Sequence, residues 1–149
     1  MKKIISSLFV LAVLIAGNAT AENVKEVTVT KQVTEAFSRD FISTSGVTWK
    51  QSGEIYIVHF NQFDGSHTAF YTADGELLGA GTDITKEDLP RTVTEKLNRK
   101  FEGYSTVQAM KYFSRADGLS WLVLMNGKKN NLVVHLDRDG FINSTRKTK

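Results

Sequence analysis

The side chains of this chain that could carry chemistry are three histidines and several carboxylates, and the sequence contains no cysteine. His59, His67 and His135 are the only imidazoles. No His-x-x-x-His spacing occurs, and His59 and His67 fall on opposite faces of the sheet predicted below. The three histidines therefore do not converge on one point, and we expect no metal site and no cofactor.

A catalytic set is equally hard to assemble from these residues. No Gly-x-Ser-x-Gly or other nucleophile context occurs, and the absence of cysteine excludes thiol chemistry and disulfides. Many of the acidic residues fall in predicted turns, where local hydrogen bonds to the backbone explain them: Asp64, Asp74, Asp117 and Asp139. We predict no catalytic residues and no enzymatic activity, and a small hydrolase or metal-binding protein remains the third alternative.

The N-terminus has the pattern of an export signal. Met1-Lys2-Lys3 precede an apolar run from Ile4 to Gly17, and Ala19-Thr20-Ala21 form a small-x-small cleavage site. The run is too short to span a bilayer. We therefore predict a signal peptide over residues 1–21 and a mature chain over 22–149. That chain should be periplasmic or secreted and should not span a membrane after the signal is removed.

The charge of the mature chain is close to balanced. Removing Lys2 and Lys3 leaves 17 basic residues against 16 acidic ones. A nucleic-acid partner is therefore not expected, because such a partner requires a strongly basic surface.

Two nine-residue segments of the chain are alike. Residues 33–41 and 93–101 share five identical positions, which predicts an internal duplication. In both segments apolar residues recur at every fourth position, which predicts a helix with one apolar stripe. The stripes are Val33, Phe37 and Phe41 in one helix and Val93, Leu97 and Phe101 in the other. Glu35 should form an exposed ion pair with Arg39, and Glu95 with Arg99.

Four strand-like segments follow each predicted helix, separated by turn signals such as Asp74-Gly75 and Asp139-Gly140. The second set repeats the first at an offset of 65 residues. The sequence thus predicts an α+β fold of two tandem α-β-β-β-β repeats, at about 32–81 and about 90–147. They should form an antiparallel sheet with both helices packed on one face. A turn at Asp64-Gly65 would place His59 opposite Phe70 and, by the repeat, Leu124 opposite His135.

Alternation along the strands assigns each side chain to one of two faces. The first face is almost wholly apolar and should lie under the helices. It contains Tyr56, Val58, Phe60, Ala69, Tyr71, Trp121, Val123, Met125, Val134 and Leu136. The second face, called the open face below, mixes apolar and polar residues.

The open face is more apolar than plain solvent exposure explains, which indicates a surface for a protein or peptide partner. The predicted partner-binding residues are Ile57, His59, Phe70, Leu122, Leu124, Val133 and His135. Burial of this face by a homodimer, by a terminal segment or by curvature of the sheet is an alternative that the sequence leaves open. The partner hypothesis expects Phe70, Leu122, Leu124 and His135 to be more exposed than Val58, Trp121 and Val123.

The order of motifs along the mature chain resembles the secreted PepSY-like family, also called beta-lactamase-inhibitor-like, in a two-repeat form. The resemblance rests on Val47-Thr48-Trp49, Tyr56-Ile57-Val58-His59-Phe60, Ala73-Asp74-Gly75-Glu76-Leu77-Leu78, Asp88-Leu89-Pro90 and Phe101-Glu102-Gly103-Tyr104. It implies a sheet with helices on one side and an exported, non-enzymatic protein. We therefore expect an interaction module that uses the open face. An inhibitor of an exported enzyme is the alternative, and no inhibitory contact residue can be matched to this chain.

Overall fold

The structure is a computed structural model that describes residues 27–63 and 65–148. The predicted signal peptide, residues 1–21, lies outside the described residues. The element order is α1 (Lys31–Asp40), β1 (Ser45–Ser52), β2 (Ile55–Gln62), β3 (Gly65–Thr72), β4 (Leu77–Ile84), a 3-10 helix (Lys86–Asp88), α2 (Arg91–Lys100), β5 (Ser105–Ser114), β6 (Gly118–Asn126), β7 (Asn131–Asp137) and β8 (Ile142–Thr148). This order confirms the predicted α+β fold of two α-β-β-β-β units.

The strands form one eight-stranded antiparallel sheet in which spatial order equals chain order, from β1 to β8. We call the end of the sheet that carries the β2–β3 and β6–β7 connections the upper end, and the opposite end the lower end. Two strand positions in each unit are bulged, where two residues oppose one residue of the partner strand. The β1 and β5 bulges lie at the upper end, and the β4 and β8 bulges lie towards the lower end.

Each helix packs its apolar stripe onto the predicted face of the sheet. Val33, Ala36 and Phe37 of α1 are buried against Tyr56, Val58, Phe60, Ala69 and Tyr71. Val93 and Leu97 of α2 are buried against a second cluster that includes Trp121, Val123, Met125, Val134 and Leu136. The side-chain alternation predicted from the sequence is therefore confirmed, with both helices on one face.

Local signals mark the start of both helices. Thr30 is the N-cap of α1, and its hydroxyl accepts a hydrogen bond from the Val33 N–H at 3.4 Å. Pro90 is the N-cap of α2, directly before the first helical residue. Each helix ends at a phenylalanine, Phe41 or Phe101, whose backbone has left the helical conformation.

The predicted ion pairs on the helices are wrong, although the helix faces are right. Glu35 pairs with Lys31 at 3.5 Å, one turn towards the N-terminus, and Arg39 contacts Asp40 instead. In α2 the Glu95 carboxylate pairs with Arg91 at 2.7 Å. A carboxylate at the centre of a helix can reach a cation in either direction, so spacing alone does not decide which partner it takes.

The two apolar stripes should dominate the stability of the helices. We expect Phe37→Ala and Leu97→Ala each to lower the free energy of unfolding by about 2–5 kcal/mol, because each leaves a cavity in a packed cluster. Glu35→Ala, on the exposed side of α1, is the matched control and should cost under about 0.5 kcal/mol. Urea unfolding of the three variants tests this, and a control as destabilised as the core variants would contradict the assignment of the helix faces.

Candidate functional site

The centre of the open face is buried, which contradicts the expected exposure of several predicted site residues. The exposed fractions are 0% for Ile57, 1% for Phe70, 1% for Leu122, 5% for Val133 and 8% for His135. His59 and Leu124 are half-buried. Trp121, which was expected to be better buried than Phe70 and Leu122, is 8% exposed. The expectation that Phe70 and Leu122 are the more exposed residues is therefore wrong.

Two glycines in β4 explain how this face is closed. A Cβ atom at Gly79 would overlap the Tyr112 hydroxyl, and a Cβ at Gly81 would overlap Met110 Sδ. The side chains of Tyr112 and Met110 therefore lie flat across β4. The Phe70 ring meets Tyr112 edge-on, with ring centroids 5.8 Å apart.

These residues form a third apolar cluster, on the open face. Its buried members are Ile55, Ile57, Phe70, Met110, Tyr112 and Leu122, and Leu78 packs against them.

The opposite face shows the reverse pattern at the same strands. Lys111 and Phe113 of β5 alternate with Met110 and Tyr112, so they point to the helix-covered face, yet both are exposed. The core clusters of α1 and α2 draw mainly on the strands to either side of this centre. Buried side chains on one face and exposed ones on the other are what a sheet bent towards its open face produces. The centre of the open face is thus buried by side chains of the sheet itself, without a second copy of the chain.

The strand register also corrects the predicted pairing. His59 lies opposite Thr68, and Phe70 lies opposite Ile57. In the second unit Leu124 lies opposite Val133, and Leu122 lies opposite His135. The β2–β3 ladder extends to Gln62 opposite Gly65, so the chain reverses one residue earlier than an Asp64-Gly65 turn would place it. A shift of two residues keeps every side chain on its face, which is why the face assignment survives.

The two histidines of the open face are held in apolar surroundings. His59 Nδ1 lies 2.8 Å from the Thr68 hydroxyl, while the buried Nε2 has no hydrogen-bond partner. Burial lowers the pKa of His59, the positive Lys50 lowers it further, and the negative Asp83 opposes both effects. Burial also lowers the pKa of His135, against the charges of Asp117 and Asp137. Both imidazoles are therefore neutral near pH 7.

The third histidine belongs to the other face, as predicted. The His67 ring stacks on Phe60, with centroids 5.5 Å apart. Its nitrogens contact the Thr82 hydroxyl and the Gln62 carbonyl. Within residues 27–63 and 65–148, no group of three or more histidine or acidic side chains is placed to hold a metal ion.

Ser120, His135 and Asp137 share the open face, which invites comparison with a hydrolase triad. Ser120 is buried, and its hydroxyl donates to the Tyr112 carbonyl at 3.5 Å. Asp137 Oδ1 accepts from the backbone N–H groups of Asp139 and Phe141, within the β7–β8 turn. In the part of the chain that the structure describes, no hydrogen bond joins Ser120 to His135. The serine is therefore not activated by the imidazole.

Exposed apolar side chains concentrate at the upper end of the sheet. Val47 and Val107 occupy the bulges of β1 and β5, and Phe63 lies in the β2–β3 connection with a positive φ of 56°. Ile42 is held beside them, since its carbonyl accepts from Gln62 at 2.8 Å. These four side chains are 38–86% exposed. The sequence patterns missed them, because neither the bulges nor the turn conformation could be read from periodicity.

Two clefts of about 550 Å³ each lie elsewhere on the surface. One is at the lower end between Phe113 and the β7–β8 turn, and the other is beside α2 and Tyr104. None of the seven predicted site residues lines either cleft.

Comparison with known proteins identifies the fold. No protein-family profile matches the sequence, and no curated protein matches it. Solved structures match over most of their length. A DUF2874 family protein from Bacteroides ovatus has a TM-score of 0.70 at 14% identity, covering 81% of this chain and 89% of that one.

Two further solved structures agree. A provisionally periplasmic protein from Bacteroides eggerthii gives a TM-score of 0.71 at 14% identity, covering 81% of this chain and 90% of that one. A BLIP-like protein from Bacteroides fragilis gives 0.67 at 10% identity, covering 82% and 88%. This chain therefore has the fold that its sequence resemblance implies, a BLIP-like α+β fold.

The packing over β4 should be sensitive to a single methyl group. We expect Gly79→Ala to lower the free energy of unfolding by about 1–3 kcal/mol, because its Cβ meets the rigid Tyr112 ring and the Phe113 carbonyl. Gly81→Ala is the matched control and should cost less, because its Cβ meets mainly the flexible end of Met110. Urea unfolding at one pH checks the order. Equal costs would contradict the role assigned to Tyr112.

The buried histidines should make stability depend on pH. A native pKa below the unfolded value of about 6.5 means that the unfolded chain takes up the proton first. The stabilisation is thus present above pH 6.5 and is lost as the pH falls from 6.5 towards the native pKa. Between pH 7.5 and 5.5, urea midpoints should fall, and should fall less in His135→Leu. An identical fall in both proteins would contradict the buried neutral state of His135.

Proposed function

We propose that this chain is an exported, non-enzymatic interaction module that binds a protein or peptide partner at the upper end of its sheet. The carrying observation is that four of the six large apolar side chains exposed in the described residues lie at this end of the sheet: Ile42, Val47, Phe63 and Val107. Exposed apolar residues that gather in one region are typical of interaction surfaces, whereas scattered ones are not. The half-buried Leu124 and His59 extend this surface onto the open face.

This proposal changes the part played by the seven predicted partner-binding residues. His59 and Leu124 can contact a partner directly, since each is partly accessible. Ile57, Phe70, Leu122, Val133 and His135 instead form the buried floor that supports the accessible part. Substituting a charge at Phe70 would therefore test folding, whereas a charge at an exposed upper-end position tests binding.

Export and location rest on two supports. The N-terminal pattern is that of a signal peptide, and one structural neighbour is provisionally described as periplasmic. No helix in residues 27–63 and 65–148 is long and apolar enough to cross a membrane. We propose the periplasm or the exterior as the location of the mature chain.

An inhibitor-like role is the second candidate, and the BLIP-like neighbour is the observation that favours it. The two candidates share a protein partner and differ in whether that partner is an enzyme that loses activity. A second copy of this chain is a third candidate occupant of the same surface, and the crosslinking test below distinguishes it from a foreign partner.

The two units are further proposed to descend from a duplication. Every residue pair of the β2–β3 ladder from Ile55 to Asn61 has a counterpart 65 residues later in the β6–β7 ladder. The bulge beside Phe70 likewise recurs beside His135. A shared register and shared irregularities support a common origin more strongly than the helix identities alone.

Site-specific photo-crosslinking in exporting cells tests the proposed surface. A crosslinker at position 63 or 107 should capture a partner identified by mass spectrometry. The same crosslinker at position 113, an exposed phenylalanine at the lower end, should not. Phe63→Asp and Val107→Asp should abolish capture, and Phe113→Asp should not. Capture of equal strength from position 113 would refute the upper-end surface, and capture of the chain itself would replace the foreign partner with a homodimer.

A further inference from the structure

Two buried polar atoms of complementary character lie without partners on the open face. His59 Nε2 and Asp83 Oδ1 are both buried, and neither has a hydrogen-bond partner. They lie close enough for the Asp83 charge to act on the His59 ring. Buried polar atoms are nearly always satisfied by a protein group, a water or an ion, so such a pair points to an occupant.

A thioether lies in the same part of the face. Met110 is directly opposite Asp83 in the β4–β5 ladder, and its Sδ lies over Gly81. Gly81 is opposite Thr68, which is opposite His59. His59, Thr68 and Gly81 thus form one row across three strands, spanning about 10 Å at the spacing of strands in a sheet. The imidazole enters this row from one end and the thioether from the other.

The hydrogen bond to Thr68 fits a ligand role for the imidazole in one of its two neutral tautomers. When His59 Nδ1 donates to the buried Thr68 hydroxyl, the lone pair is on Nε2, the atom without a partner. A donor bond from the second ring nitrogen is the feature that orients metal-binding histidines. His67, on the helix-covered face, has partners for both nitrogens and lacks this free lone pair.

The donor types select the class of ligand. A thioether is a soft ligand that favours monovalent copper over zinc, magnesium or calcium, and an imidazole also suits copper. We propose that His59 Nε2 and Met110 Sδ form a binding site for Cu(I), with the Asp83 carboxylate as the nearby countercharge. His59 also borders the partner surface proposed above, but metal binding is measured on the isolated protein, so the two proposals can fail separately.

The first test uses Ag(I), a redox-inert ion with the ligand preferences of Cu(I), and the purified exported protein. Titration calorimetry should show one equivalent bound, and Met110→Leu should weaken binding by roughly tenfold or more, because it removes the soft donor. Leucine keeps the apolar volume, so folding should be retained. Met125→Leu, at a buried methionine on the helix-covered face, is the matched control and should bind as the wild type does.

A second measurement uses only the wild-type protein, so it stands even if a variant fails to fold. Labelled methionine methyl groups should show Ag(I) moving the Met110 resonance and leaving the Met125 resonance in place. Competition with a Cu(I)-specific chelating dye under anaerobic reducing conditions should give the same stoichiometry. The proposal is overturned by no stoichiometric binding, by Zn(II) binding without Ag(I) binding, or by equal effects at Met110 and Met125.

Discussion

The packing of Tyr112 and Met110 across two glycines of β4 is the constraint on which the shape of this protein depends. Gly79 and Gly81 carry no side chains, so two large residues of the neighbouring strand can lie flat over them. Phe70 and Leu122 then close the same cluster from the strands on either side. The joint between the two units is therefore a packed core in its own right, although neither α1 nor α2 covers it.

Because of this joint, both faces of the sheet carry buried clusters: two lie under the helices, and the third lies on the open face. The helices cover the outer strands from one side, and the β5 side chains cover the centre from the other. Among the strands of residues 27–63 and 65–148, the regular meander leaves only β1 and β8 as sheet edges. Both edge strands contain or border bulges, a device that discourages pairing between edges of different molecules.

The predictions from sequence succeeded for features that the periodicity of apolar residues determines, and they failed for features that a single local contact determines. A period of four set the helix stripes at Phe37 and Leu97, and a period of two set the faces of the strands. The exposure of the open-face side chains could not be predicted in the same way, because alternation assigns a side chain to a face without telling what covers that face. The local signal for this packing was the Gly79-x-Gly81 pair of β4, and its meaning depends on a strand pairing that sets Gly81 opposite Tyr112, 31 residues later.

Burial has opposite energetic effects on the apolar and the polar residues of the open face. The packing of the open face buries Ile57 and Leu122 at a gain in free energy, because apolar surface leaves water. It buries the imidazoles of His59 and His135 at a cost, since their unpartnered nitrogens lose water and gain no protein contact. For His59 the proposed metal site offsets that cost, because a bound ion would take the lone pair of its unpartnered Nε2.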